Sequence, residues 1–275
     1  MNYMNGFALR KWVFILFLSL LSSISRGQLR VCTWNIANLG GSKSIDALQY
    51  IANTIKSYHL VAIQEVVASI EGPRAVARID SLLDVMGGNW EFVISNPTDG
   101  PGVERYAFIW NTRKVKLLDS PVLIAALADS IDREPFLGKF LYKKDTCWVL
   151  NFHAVPTAKK PANEIVKLFD YISTMPKRRW ICLGDFNLSF THNAYSPWID
   201  AGYTDAVNNA LTSLKMEERN GERFANSYDH IIYHTAKYKS LKAGIIDFTK
   251  DFESLRASRK VSDHVPVYAV FKFVK

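Results

Sequence analysis

The stretch Trp180-Ile181-Cys182-Leu183-Gly184-Asp185-Phe186-Asn187 decides how the rest of the chain is read. Four apolar residues suit a buried strand, Gly184 lets the backbone turn tightly, and a carboxylate and a carboxamide follow. A strand that ends this way holds polar groups rigidly at a sheet edge. Alone, it is equally well an Asx turn. The pattern recurs, however. The run 29–34 ends in Asn35, 60–63 in Gln64-Glu65, and 148–152 in His153. Tyr228-Asp229-His230 opens another run, and Ser262-Asp263-His264 opens the last. Six strands that each present Asn, Glu, His or Asp at one end predict a convergent site.

Helical periodicity fills the gaps between these strands. Ser44 caps a predicted helix with Ile45, Leu48, Ile51 and Ile55 on one face and Asp46 in its first turn. A second helix starts at Pro73, carries Val76, Ile79, Leu82, Leu83 and Met86 inward, and stops at Gly87-Gly88. A β-rich middle follows at 90–95, 105–110, 115–119, 138–142 and 147–152, with a hairpin turn at Asn111-Thr112. The third helix begins near Pro161 and uses Ile165, Leu168, Phe169 and Ile172. The polar segment 208–226 reads as a mobile surface loop, and strands at 231–233 and 265–273 close the chain. Strand–helix–strand occurs twice, which predicts an α/β sandwich with mixed sheets.

With 275 residues, 48% hydrophobic and 22% charged, the chain is neither disordered nor repetitive. No Pro-rich or Gly/Ser-rich linker divides it, so residues 28–275 read as one domain. The N-terminus is different. Arg10 and Lys11 precede a short apolar run at 12–21, and small residues lead to Gly27. This is the layout of a signal peptide over 1–27, and the apolar core is shorter than the roughly 20 residues that span a bilayer. The expected mature protein is secreted or periplasmic, monomeric and without stable membrane association. Losing Arg10, Lys11 and Arg26 leaves 31 basic and 26 acidic side chains, a net charge of +5 that suits an anionic substrate. Cys32, Cys147 and Cys182 lie in apolar runs and read as free core thiols, not a disulfide framework.

Carboxylates and amides with few thiolates favour a hard cation, Mg²⁺ or alternatively Ca²⁺ or Mn²⁺. Two histidines beside them move protons near neutral pH. Cation and acid–base pair together equip a site for phosphoester hydrolysis. No G-x-S-x-G or Walker-type loop is present. A zinc site from His153, His230 and His264 is the rival metal chemistry, although no His/Cys pair has close ligand spacing.

T-W-N-I at 33–36, Q-E-V at 64–66, N-F-H at 151–153, G-D-F-N at 184–187, Y-D-H at 228–230 and S-D-H-V-P-V at 262–267 occur in the order of the endonuclease/exonuclease/phosphatase superfamily, which the chain resembles over 29–273. E-R-Y-A-F at 104–108 and D-R-E-P-F at 132–136 resemble its deoxyribonuclease I branch. The resemblance implies a four-layer sandwich of two mixed β-sheets flanked by helices. It also implies an acid–base pair of His153 and His264, oriented by Glu104 and Asp229. Glu65 and Asn35 would hold the cation, with Asp263 nearby. Asp185 and Asn187 would contact the scissile phosphate or the metal shell. Arg133 would pair with a phosphate, and Tyr228 would join Asn187 in binding substrate. The implied activity is a sequence-tolerant endonuclease on nucleic acid, chiefly DNA. A phosphatase or phospholipid head-group diesterase, and an inactive binding module, are the alternatives.

Some positions depart from that branch. Val67 stands where its DNA cutters carry Arg after Q-E-V, and Gly102-Val103 replace an aromatic before E-R-Y. Asn226-Ser227 lack a Cys expected before Y-D, and His230 replaces an Arg. The catalytic set is whole, whereas the groove-reading set is eroded.

Overall fold

In the computed structural model, which describes residues 27–275, each predicted strand–helix–strand unit forms the centre of a sheet. The predicted signal peptide falls, but for Gly27, outside the described residues. β1 (Leu29–Leu39) and β2 (Leu60–Val66) pair in parallel, joined by helix α1 (Ile45–Ile55). β7 (Asp145–His153) and β8 (Trp180–Asp185) do the same through α3 (Ala162–Ser173). Antiparallel strands extend both pairs. The first sheet adds β3 (Trp90–Ile94), β4 (Arg105–Asn111), β13 (Tyr238–Ile245) and β14 (Val267–Phe273), in the order β13-β14-β1-β2-β4-β3. The second adds β5 (Val115–Leu123), β6 (Phe136–Tyr142), β9 (Tyr203–Asp205) and β12 (Asp229–His234), in the order β5-β6-β7-β8-β12-β9.

This pairing explains the convergence of the polar tips. Parallel β1 and β2 bring Asn35 and Glu65 to one edge, and parallel β7 and β8 bring His153 and Asp185 there. β4 and β12 run the other way, so it is their N-terminal ends, at Glu104 and Asp229, that arrive at the same edge.

Three apolar layers hold the sheets and helices together. α1 and α2 (Glu71–Val85) cover the first sheet with Leu48, Ile51, Val76, Ile79 and Leu83. α3 and α4 (Ser196–Asp200) cover the second with Ile165, Leu168, Ile172 and Trp198. Between the sheets, Phe108 stacks on Phe136 at 5.2 Å and meets Phe140 edge-on at 5.3 Å. Each such ring removed from water contributes about 1.5–3 kcal/mol. The result is the expected four-layer α/β/β/α sandwich. All three cysteines are free and buried, and burial pushes their thiols up.

A polar clamp crosses the central layer. Gln64 Nε2 donates to Asn151 Oδ1 at 2.6 Å and to Thr33 Oγ1 at 2.8 Å, while Asn151 Nδ2 reaches the carbonyls of Ile63 and Ala107, both at 3.1 Å. Gln64 and Asn151 are both fully buried and clamp β2 and β4 to β7 next to Glu65 and His153.

The local expectations mostly hold, with corrections: β4 and β5 lie in different sheets, so the turn at Asn111-Thr112 passes between the sheets and closes no hairpin. Ser44 caps α1 by accepting from Ala47 N at 3.2 Å, but Ile45 is half exposed and Ala47 and Ala52 face inward instead. The segment expected to be a loop at 208–226 contains a hairpin, β10 (Leu214–Arg219) and β11 (Glu222–Phe224). Its turn is Asn220-Gly221 with φ of 54° and 77°, the left-handed pair that an Asn-Gly turn favours. That dipeptide was the available signal. β9 and β13 were also missed; both are edge strands with polar faces.

Candidate active site

Backbone irregularity aims the first ligands. Register breaks in β1 after Asn35 and in β2 between Ile63 and Val66. Glu65 lies in the left-handed region at φ 58°, a conformation that costs a non-glycine residue on the order of 1 kcal/mol and clusters at functional positions. The kink turns its carboxylate over the sheet edge, where Oε2 accepts from Asn38 N at 2.9 Å. Asn35 Nδ2 then bridges two carboxylates, Glu65 Oε1 and Asp185 Oδ2, at 3.0 Å each.

Two buried histidine–carboxylate dyads flank this point. His153 Nδ1 lies 2.9 Å from Glu104 Oε2, and His264 Nδ1 lies 2.7 Å from Asp229 Oδ2. With Nδ1 tied to a carboxylate, Nε2 is the working atom of both rings. The two Nε2 atoms converge on one oxygen, Asp185 Oδ2, at 3.5 Å from His153 and 3.6 Å from His264. Burial alone would lower both imidazoles. The charge and hydrogen bond of Glu104 outweigh it at His153, whose pKa is raised. The charges of Asp229 and Asp185 outweigh it at His264, which reaches about 10.

Several side chains that sequence reasoning missed hold this arrangement. Thr212 Oγ1 accepts from the amides of both Tyr228 and Asp229, at 3.1 and 3.0 Å. Ser262 Oγ donates to the Asn35 carbonyl at 2.6 Å and accepts from His264 N at 3.0 Å. Trp34 Nε1 donates to the His264 carbonyl at 2.7 Å. Tyr106 OH accepts from His153 N at 3.1 Å. A lone hydroxyl carries no distinctive pattern in a sequence, so Thr212 had no signal, whereas Trp34, Tyr106 and Ser262 lay inside T-W-N-I, E-R-Y-A-F and S-D-H.

Other predicted residues take different places. Arg133 is buried, with Nε on the His153 carbonyl at 3.1 Å, Nη2 on the Ala154 carbonyl at 2.8 Å and Nη1 3.4 Å from Glu104. It therefore braces the first dyad, where a phosphate contact was expected. Asp263 stands at the rim: its Oδ2 meets Arg259 at 3.3 Å and lies outside the Asn35–Glu65–Asp185 contacts. Asn187, at φ 50°, donates through Nδ2 to the Ala154 carbonyl at 3.0 Å. Its own carbonyl accepts from Thr157 Oγ1, which also bonds Tyr228 OH, both at 3.0 Å, and these groups form a polar lip. His230 points away from the site. Its two ring nitrogens are bound by Asp205 at 3.1 Å and the Leu188 carbonyl at 2.9 Å, which removes the three-histidine zinc alternative.

The donor set fits a hard divalent cation. Ligand atoms of Asp185, Asp229 and His264 lie within 4.8 Å of one another, with Glu65 held next to Asp185 by Asn35. Asp229 Oδ1 is buried without a hydrogen-bond partner, a costly state for a carboxylate oxygen that a cation or its water would relieve. Oxygen donors predominate, as Mg²⁺, Ca²⁺ and Mn²⁺ prefer.

A sandwich edge that gathers acid–base dyads and hard oxygen ligands defines a phosphoester-cleaving hydrolase. Residues 32–264 match the model of the endonuclease/exonuclease/phosphatase family, and the chain belongs to that family. A deoxyribonuclease of Thioalkalivibrio sp. (strain K90mix) is 28% identical over 288 residues, covering 96% of this chain and 77% of that protein. Deoxyribonuclease-1 of Equus caballus is 30% identical over 191 residues, 62% of this chain and 64% of that protein. These relatives support the deoxyribonuclease I-like branch. A solved endonuclease/exonuclease/phosphatase family protein from Bacteroides thetaiotaomicron superimposes with a TM-score of 0.66 at 16% identity, over 90% of this chain and 98% of that one, and shares the fold.

Proposed function

We propose that the chain is an exported, divalent-cation-dependent phosphodiesterase, a sequence-tolerant endonuclease acting on DNA. The observation that carries this reading is the convergence of two carboxylate-backed imidazoles on Asp185. One Nε2 takes a proton from the attacking water, and the other gives one to the departing ribose oxygen. Glu104 and Asp229 keep each ring in the working tautomer and stabilise its charged form. Glu65 and Asp185, braced by the Asn35 amide, would hold the cation, which when bound withdraws charge from the phosphoryl oxygens. Tyr228, Thr157 and Asn187 present polar groups along which the flanking backbone can lie. The net charge of +5 after signal removal helps to attract a polyanion. Among the described residues no helix is long and apolar enough to cross a membrane.

Plasmid nicking by residues 28–275 tests the proposal. Mg²⁺ should support nicking and a chelator abolish it. His153→Ala should lower the rate roughly 10²–10⁴-fold, the range of general acid–base catalysis. Glu65→Ala should demand more Mg²⁺ for half-maximal rate. Full activity in either variant would overturn the assignment.

A further inference from the structure

Beside the dyads, on the flank of the first sheet, the loop after β2 and the loop before β4 stand apart and enclose a recess of about 410 Å³. Val67 and Ala68 form one wall, Pro101 and Val103 the other, and Glu65 and Arg133 lie at the inner end. Glu65 also belongs to the catalytic cluster, so an occupant of the recess is a near neighbour of the reacting phosphate. Gly102 has no side chain to close the space: a Cβ there would stand 3.1 Å from Arg133 Nη1.

Shape decides what can enter. A duplex offers a groove, and proteins that read one push cationic or large apolar side chains into it. The recess is a hollow lined by short apolar side chains and, over most of its exposed surface, by the polar groups of Asn38, Glu65, Glu104 and Arg133, and two concave surfaces do not mate. An unpaired base is the complementary shape: flat, apolar on its faces and able to slip between apolar walls while its phosphate stays on the catalytic edge. Polarity points the same way. The carboxylates of Glu65 and Glu104, the Asn38 amide and the Arg133 guanidinium, all lining the recess, offer partners to the polar edge of a base whose faces meet the apolar side chains.

We infer that this recess binds one unpaired base adjacent to the scissile phosphate, so that the enzyme prefers single-stranded to double-stranded nucleic acid; this rests on the nuclease reading above. The test measures kcat/KM on a labelled oligonucleotide, free and annealed to its complement, for residues 28–275 with Mg²⁺. The free strand should be cut at least about tenfold more efficiently, the scale of one base contact. Val103→Trp, at a position 55% exposed where folding tolerates change, fills the recess and should erase that preference through a higher KM for the free strand. An abasic position next to a cleavage site should suppress cutting there. Equal kcat/KM on the two substrates, or an undiminished preference in Val103→Trp, overturns the recess assignment and leaves the nuclease standing. No cleavage of either substrate overturns both.

Discussion

Asp229 does two things at once: one carboxylate oxygen fixes His264, and the other is buried without a partner. Asp229→Asn keeps the shape and removes the charge that holds the imidazolium. A loss of roughly 10²–10⁴ in kcat/KM is expected, with an unchanged circular dichroism spectrum. Wild-type kcat/KM would remove Asp229 from the catalytic dyad. His230 and Asp205 make a third buried pair, away from the chemistry. Burial opposes charge on both, but each outweighs it for the other, so His230 is raised above 6.5 and Asp205 lowered below 3.8. The histidine's contribution to stability is therefore complete below pH 6.5 and fades as pH rises through its raised value. The aspartate's is complete above pH 3.8 and fades as pH falls through its lowered value. His230→Gln should lower Tm at pH 6 and flatten the decline of Tm from pH 6 to 9. A variant with the wild-type slope would show that His230 is not charged in the folded state.

Among the elements, β8 tolerates least. Gly184 has φ 138°, and a Cβ there would stand 1.9 Å from the Phe152 carbonyl of the neighbouring strand. Gly184→Ala should cost about 3 kcal/mol or more, since neither backbone can give way. Urea denaturation measures it, and a loss under about 1 kcal/mol, the ordinary range for surface changes, would mean that the strand relaxes. The element scale is also where the sequence was most legible. The central strands and the three long helices follow from apolar runs, caps and 3.6-residue periodicity. β9 and β13 did not, because edge strands with one polar face lack the apolar run that marks a buried strand. The hairpin at 214–224 was hidden by its charges, although its Asn-Gly turn was in plain view. The side chains that meet at the sheet edge were legible as polar tips on apolar strands. The parts of Arg133, Thr212 and Asn151 were not, since hydrogen bonds across the fold leave no local pattern.

Across the whole molecule, the site lies on the seam between two sheets, and its geometry depends on how they are joined. The Gln64–Asn151 clamp is one polar part of that joint, one residue from Glu65 and two from His153. Asn151→Leu would take one of two acceptors from Gln64 Nε2, which keeps Thr33 Oγ1, and would remove the side-chain donor from the buried Ile63 and Ala107 carbonyls. The expected cost is about 3 kcal/mol of stability, from several buried groups that each lose a hydrogen bond worth roughly 1 kcal/mol. Unchanged denaturant midpoints would show that the sheets are held by apolar packing alone.

The first strand of the fold pairs with the last, Leu29 opposite Phe271 and Thr33 opposite Val267, and His264 sits just ahead of that final strand. Synthesis delivers Asn35 and Glu65 early and the second imidazole almost at the finish. A nascent chain thus carries half a catalyst through nearly all of its translation. The site closes only when β14 zips onto β1, so a chain cut short before His264 has one dyad in place of two.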